Sequence, residues 1–122
     1  MRNLYPFMLL VLTLNVQAAQ TGVDLPSCDL TKQRALVVQI GGQVKDVKQA
    51  HISMRTNVLN ADISTARKSR KITKNEASGM IERVSRVRKQ TENLVAKQGV
   101  LSAADKADLD RELDSVANQL CR

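Results

Sequence analysis

An all-α fold is predicted by three features of this chain. Apolar positions recur every three or four residues from Val44 onward, no segment alternates with period two, and two helix-start signals stand 29 residues apart at the head of the same pattern. The architecture they imply is a three-helix bundle or an elongated antiparallel helical hairpin, preceded by a short N-terminal helix and closed by one disulfide.

The opening stretch, "MRNLYPFMLLVLTLNVQAAQ", carries one positive charge at Arg2, an apolar run from Leu4 to Leu14, and small residues at Val16 and Ala18. It reads as a secretory signal over residues 1–18, with a single helical domain over 19–122. The run is shorter than the roughly 20 residues that span a bilayer. No membrane span is expected, and the cleavage point has no cysteine for a lipid anchor. The expected location is the periplasm of a Gram-negative cell, with full secretion as the alternative.

Export gives the two cysteines, Cys28 and Cys121, an oxidising compartment, so they are expected to form one disulfide. A loop of this length is worth about 4 to 5 kcal/mol in the chain-entropy treatment. A thiol redox or metal site would need a CxxC spacing or more than the single histidine present. No metal or other cofactor is expected.

Beyond Cys28, "LTKQRALVVQIGGQ" offers Leu36, Val37 and Ile40 to a helical turn or two, and Gly41-Gly42 to a break. The stripe Val44, Val47, His51, Met54, Val58, Ala61, Thr65, widened by Ile52, Leu59 and Ile63, predicts one long amphipathic helix. Roughly 25 residues would reach about 38 Å. The unbroken stripe also offers a face for a homodimer. Thr73-Lys74-Asn75-Glu76 has the form of a capping box, so a second helix should start there, buried through Ala77, Met80, Val84, Val87, Thr91 and Leu94, with Ile81 and Val95 beside them. Gln98-Gly99 is its stop.

A third helix follows the same plan. "ITKNEASGMIERVSRV" from Ile72 aligns without gaps on "LSAADKADLDRELDSV" from Leu101. Ser102 takes the cap, Asp105 and Asp108 sit in the early turns where the helix dipole favours them, and Leu109, Leu113, Val116 and Leu120 face inward.

The only aromatic residues, Tyr5 and Phe7, lie in the signal segment. Without aromatic platforms, binding of single-stranded nucleic acid by base stacking is disfavoured, and no nucleic-acid partner is expected. After cleavage eighteen basic residues stand against twelve acidic ones, a net charge of +6. Ten of the basic residues lie between Arg67 and Lys97, against three glutamates. For an exported chain the matching polyanions are envelope polymers, anionic headgroups and acidic protein surfaces.

The candidate contact surface is therefore Arg67, Lys68, Arg70, Lys71, Lys74, Arg83, Arg86, Arg88 and Lys89. Part of it has a structural reading, since cations suit a helix C-terminus and Arg83 or Arg88 could pair with Asp110 or Asp114 across the hairpin. His51 falls on the apolar stripe and reads as a packed histidine without ligand partners. There is no phosphate-cradling glycine loop, no nucleophile set for one histidine to serve, and the Asp105 to Asp114 cluster lacks calcium-loop spacing. The chain is not expected to be an enzyme.

At "KITKNEA" and "VLSAADKADLDRELDSV" the sequence resembles uncharacterised small exported helical proteins of Gram-negative bacteria, which carry repeated units of the form Gly-[Ile/Leu]-[Thr/Ser]-x-x-Glu-Ala. Arg70-Lys71 stands where that pattern has its glycine. A weaker likeness is to the Spy and CpxP periplasmic chaperones, marked by Leu-Thr-x-x-Gln. Here Leu30-Thr31-Lys32-Gln33 has its glutamine one place early. That likeness implies a cradle-shaped dimer holding unfolded clients. The main expectation is a non-catalytic periplasmic protein that binds an acidic protein partner or envelope polyanion through its basic surface. A stress chaperone, and an inhibitor or immunity protein for a wall hydrolase or toxin, are the alternatives.

Overall fold

Side-chain caps set the helix starts. Asp29 accepts from the backbone of Lys32 and opens α1 (Leu30–Arg34), while Asp46 accepts from Lys48 and opens α2 (Val47–Lys68). Thr73 with Glu76, and Ser102 with Asp105, form complete capping boxes at the starts of α3 (Lys74–Gln98) and α4 (Ala103–Leu120). In both boxes the backbone amide donated to the carboxylate holds it below its ordinary pKa, with the hydroxyl-bearing cap residue adding to the effect. A 3-10 turn, Pro26–Cys28, precedes α1.

The computed structural model describes residues 25–40 and 46–122, and among them all regular structure is helical. The signal expected over 1–18, the Gly41-Gly42 break and the Val44 start of the long stripe lie outside the described residues. No helix among the described residues is long and apolar enough to cross a membrane.

Helices α2, α3 and α4 each pack against the other two, which makes the fold a three-helix bundle rather than an extended hairpin. The shared core is aliphatic: Ile52, Leu59 and Ile63 from α2, Met80, Val84 and Val87 from α3, and Leu109, Leu113 and Val116 from α4, with Leu25 and Leu101 at the ends. Burying each such side chain stabilises the fold by about 1.5–3 kcal/mol. Cys28 and Cys121 form the expected disulfide across a separation of 93 residues, with their Cα atoms 5.8 Å apart. A second tie holds the same N-terminal segment. The Ser27 amide donates to Asp62 Oδ2 at 2.8 Å, and the Ser27 hydroxyl bonds to the same oxygen.

The stripes predicted for α3 and α4 are the buried ones, except that Leu94 and Val95 are half-buried and Ile81 is exposed. That of α2 is buried only in part. His51 and the widening residues Ile52, Leu59 and Ile63 are buried as expected, but Val47, Met54, Ala61 and Thr65 are exposed, and Arg55, Asp62 and Ala66 are buried instead. The buried face is thus shifted toward the widening residues. The reason is that Arg55 and Asp62 are charged yet face inward, where α4 and the Ser27 turn supply their partners. Nor does the N-terminal helix extend through Leu36, Val37 and Ile40. It stops at Arg34, and Val37 is 92% exposed. The β-branched pair Val37-Val38 disfavours helix, and the Leu36 carbonyl is taken by a side chain of α2.

The two 29-residue units share a backbone feature at their junctions. Gly99 has φ 84° and Arg70, the residue in the matching place, has φ 61°. At Arg70 the chain closes α2 with a Schellman motif, in which the Arg70 amide donates to Arg67 O and the Lys71 amide to Ala66 O. A left-handed residue with a Cβ costs about 1–2 kcal/mol relative to glycine.

Candidate functional site

The charged side chains form two separate groups. The first is buried between α2 and α4. Arg55, 1% exposed, places Nη1 2.9 Å from Asp110 Oδ1 and Nη2 2.9 Å from Asp114 Oδ1, and also donates to the Asp110 carbonyl. Asp114 accepts a second arginine, Arg34 of α1, through Nε at 2.8 Å. Asp110 accepts Lys106 Nζ at 2.8 Å and His51 Nε2 at 2.8 Å. His51 Nδ1 lies 2.9 Å from the Leu36 carbonyl, so both ring nitrogens stand within hydrogen-bond distance of an oxygen.

Burial pushes the Asp110 carboxyl up, but the hydrogen bonds from His51, Lys106 and Arg55 together outweigh it and hold the group well below the usual carboxylate range. His51 is buried with both nitrogens engaged, and Arg55 is enclosed, its Nε without a hydrogen-bond partner among the described residues. It ties α1, the Leu36 segment, α2 and α4 together. Among the described residues, no group of three or more His, Cys, Asp or Glu side chains is placed to hold a metal ion.

The second group is the set of basic residues singled out from the sequence, and the structure divides it. Arg67, Lys68, Arg70, Lys71 and Lys74 are exposed and line one depression of about 530 Å³ at the turn between α2 and α3, together with Ile72, Thr73 and Glu76. None of the five makes a salt bridge to a described carboxylate. Glu76 is the one acidic residue lining the depression, and it is occupied by the Thr73 amide at 3.0 Å.

The remaining four lie along α3. Arg83 and Arg86 border a second depression of about 520 Å³ in which Asp108 and Glu112 already sit. Arg83 donates to Gln119 at 2.9 Å and Ser115 at 2.8 Å, and Arg88 donates to Thr56 at 2.9 Å and Asn57 at 2.8 Å. Neither arginine pairs with Asp110 or Asp114 as expected, because those carboxylates are filled from α1, α2 and Lys106. Arg83 and Arg88 are therefore bundle contacts, while Arg86 and Lys89 are exposed.

A larger cleft of about 1390 Å³ runs beside the disulfide, lined by Cys28, Leu30, Gln33, Leu36, Leu120 and Cys121, and shares Lys71, Ile72 and Glu76 with the basic depression. The sequence reading missed Arg55, Asp110, Asp114 and Asp62 as buried groups. One signal was present: Arg55 is the only Lys, Arg, Asp or Glu between Lys48 and Asp62.

Compared with known proteins, the chain matches no family model, no curated protein and no solved structure. The resemblance to exported helical proteins therefore rests on its two repeated motifs.

Proposed function

We propose that this chain is a non-catalytic, exported binding protein of the periplasm that meets an acidic protein surface or an envelope polyanion through the turn between α2 and α3. The observation that carries the reading is the contrast in pairing. Arg34, Arg55 and Lys106 each have a carboxylate partner, whereas five cations around the α2–α3 turn share one depression and have none among the described residues. Unneutralised charge gathered at one turn is suited to an anionic partner, and a net positive chain attracts one over distance. The Cys28–Cys121 bridge supports the oxidising compartment in the same reading.

The test uses labelled poly-glutamate as a generic acidic partner, titrated with the oxidised protein at low and physiological salt. Affinity should drop steeply with salt, because the screening length falls to about 8 Å at physiological ionic strength. It should also drop when Arg67, Lys68, Arg70 and Lys71 are replaced by glutamine. Affinity insensitive to both changes would refute the proposal.

A further inference from the structure

Residues 70 and 99 hold the same place in two units of one repeat, and both take left-handed backbone. At position 99 the residue is glycine, which adopts that conformation without steric cost. At position 70 it is arginine. The turn does not need a side chain there to fold, and glycine would suit the backbone better. What the arginine adds is a guanidinium on the rim of the α2–α3 depression, beside Arg67, Lys68, Lys71 and Lys74. Departures from a relaxed backbone concentrate where a side chain is needed for function.

We infer that this depression is a binding site for a phosphomonoester, and that Arg70 is held in left-handed backbone to present its guanidinium to it. This rests on the anionic-partner reading above and narrows it to one chemistry. Two arginines offer planar forks that match phosphate oxygens two at a time, and three lysines add compact charge. A terminal phosphate, nearly doubly charged at neutral pH, uses more of that set than a carboxylate or a singly charged diester does. The phosphate has two sources consistent with this chemistry, a small soluble ester and a lipid headgroup. The wall shared with the larger cleft beside the disulfide gives the group esterified to the phosphate a place to lie.

The experiment compares the oxidised wild type with Arg70→Gly and with Lys97→Gln, which removes the same unit charge at an exposed position outside the depression. Inorganic phosphate is the first probe, followed by calorimetry at low salt. Wild type and Lys97→Gln should bind it alike, and Arg70→Gly should bind about tenfold more weakly, the loss expected for one charge-assisted contact. Because glycine relaxes the turn, Arg70→Gly should also unfold at a higher temperature, so weaker binding cannot be traced to a damaged fold.

The second probe is phosphatidylcholine vesicles doped with phosphatidic acid, a monoester, or with phosphatidylglycerol, a diester. Arg70-dependent binding to phosphatidic acid that free phosphate displaces assigns the site to a lipid headgroup. Phosphate binding without vesicle binding assigns it to a soluble ester. Equal phosphate binding by all three proteins, equal loss in both variants, or no phosphate binding by the wild type would overturn the site. If poly-glutamate binding remained salt-sensitive in any of those cases, the broader anionic surface would survive the loss of the phosphate site.

Discussion

The two arginines that best summarise this molecule are Arg55 and Arg70. Arg55 is enclosed between two helices, with both terminal nitrogens on carboxylates and a neighbourhood of His51, Lys106 and Arg34 completing the pairs. Arg70 is exposed, without a described carboxylate partner, on a backbone that glycine would occupy more comfortably. The same side chain serves the fold in one place and burdens it in the other. Charge that is paired and buried fixes how helices meet, while the charge at the α2–α3 turn has no carboxylate partner among the described residues.

This contrast should show first in stability. Replacing Arg55 by alanine leaves Asp110 and Asp114 buried with one cation fewer, and should cost about 3 kcal/mol in urea unfolding, near the lower end for a broken buried pair because His51, Lys106 and Arg34 remain. Arg67→Ala at the exposed turn should stay within about 0.5 kcal/mol of wild type. Equal effects would erase the distinction between the two regions.

Acid should separate them next. The Asp110 carboxyl titrates below its ordinary value in the folded protein, so as pH falls the unfolded chain takes up a proton first. Its contribution is complete above about pH 4 and is lost progressively as the pH drops below that. Asp110→Asn should therefore flatten the loss of stability on the acid side of pH 4 in pH-dependent unfolding. Arg67→Ala and Lys68→Ala should leave that slope unchanged, since neither side chain touches the carboxylate network.

The smallest effect has the opposite sign. Arg70→Gly should raise stability by about 1 kcal/mol, the relief of a left-handed residue that carries a Cβ. A loss of stability would mean that Arg70 makes a contact important to the fold and would weaken the case for a binding role.

Much of this was legible in the sequence. The capping boxes at Thr73 and Ser102 and the stripes that follow them state α3 and α4 residue by residue, because a cap and a 3.6-residue period are both local signals. The disulfide followed from having two cysteines. The face of α2 was only partly legible: His51, Ile52, Leu59 and Ile63 were named, but the other residues that decide it, Arg55 and Asp62, are charged. Arg55 turns inward only because Asp110 and Asp114, 55 and 59 residues away, meet it there, and Asp62 only because Ser27 does. No local pattern announces such pairs. Their one trace was the isolation of Arg55 in an otherwise uncharged stretch. Of the nine basic residues the sequence singled out, only folding showed that five surround one depression while Arg83 and Arg88 are committed to the bundle.

The central claim is that the charge of the α2–α3 turn serves binding and not folding. Its most direct test is a single variant, with Arg67, Lys68, Arg70 and Lys71 all replaced by glutamine, measured side by side for urea stability and for affinity to poly-glutamate at low salt. The account predicts stability within about 0.5 kcal/mol of wild type and affinity reduced at least about tenfold, or 1.4 kcal/mol. Affinity preserved together with a marked loss of stability would contradict it, and would place these cations with Arg55 as part of what holds the bundle together.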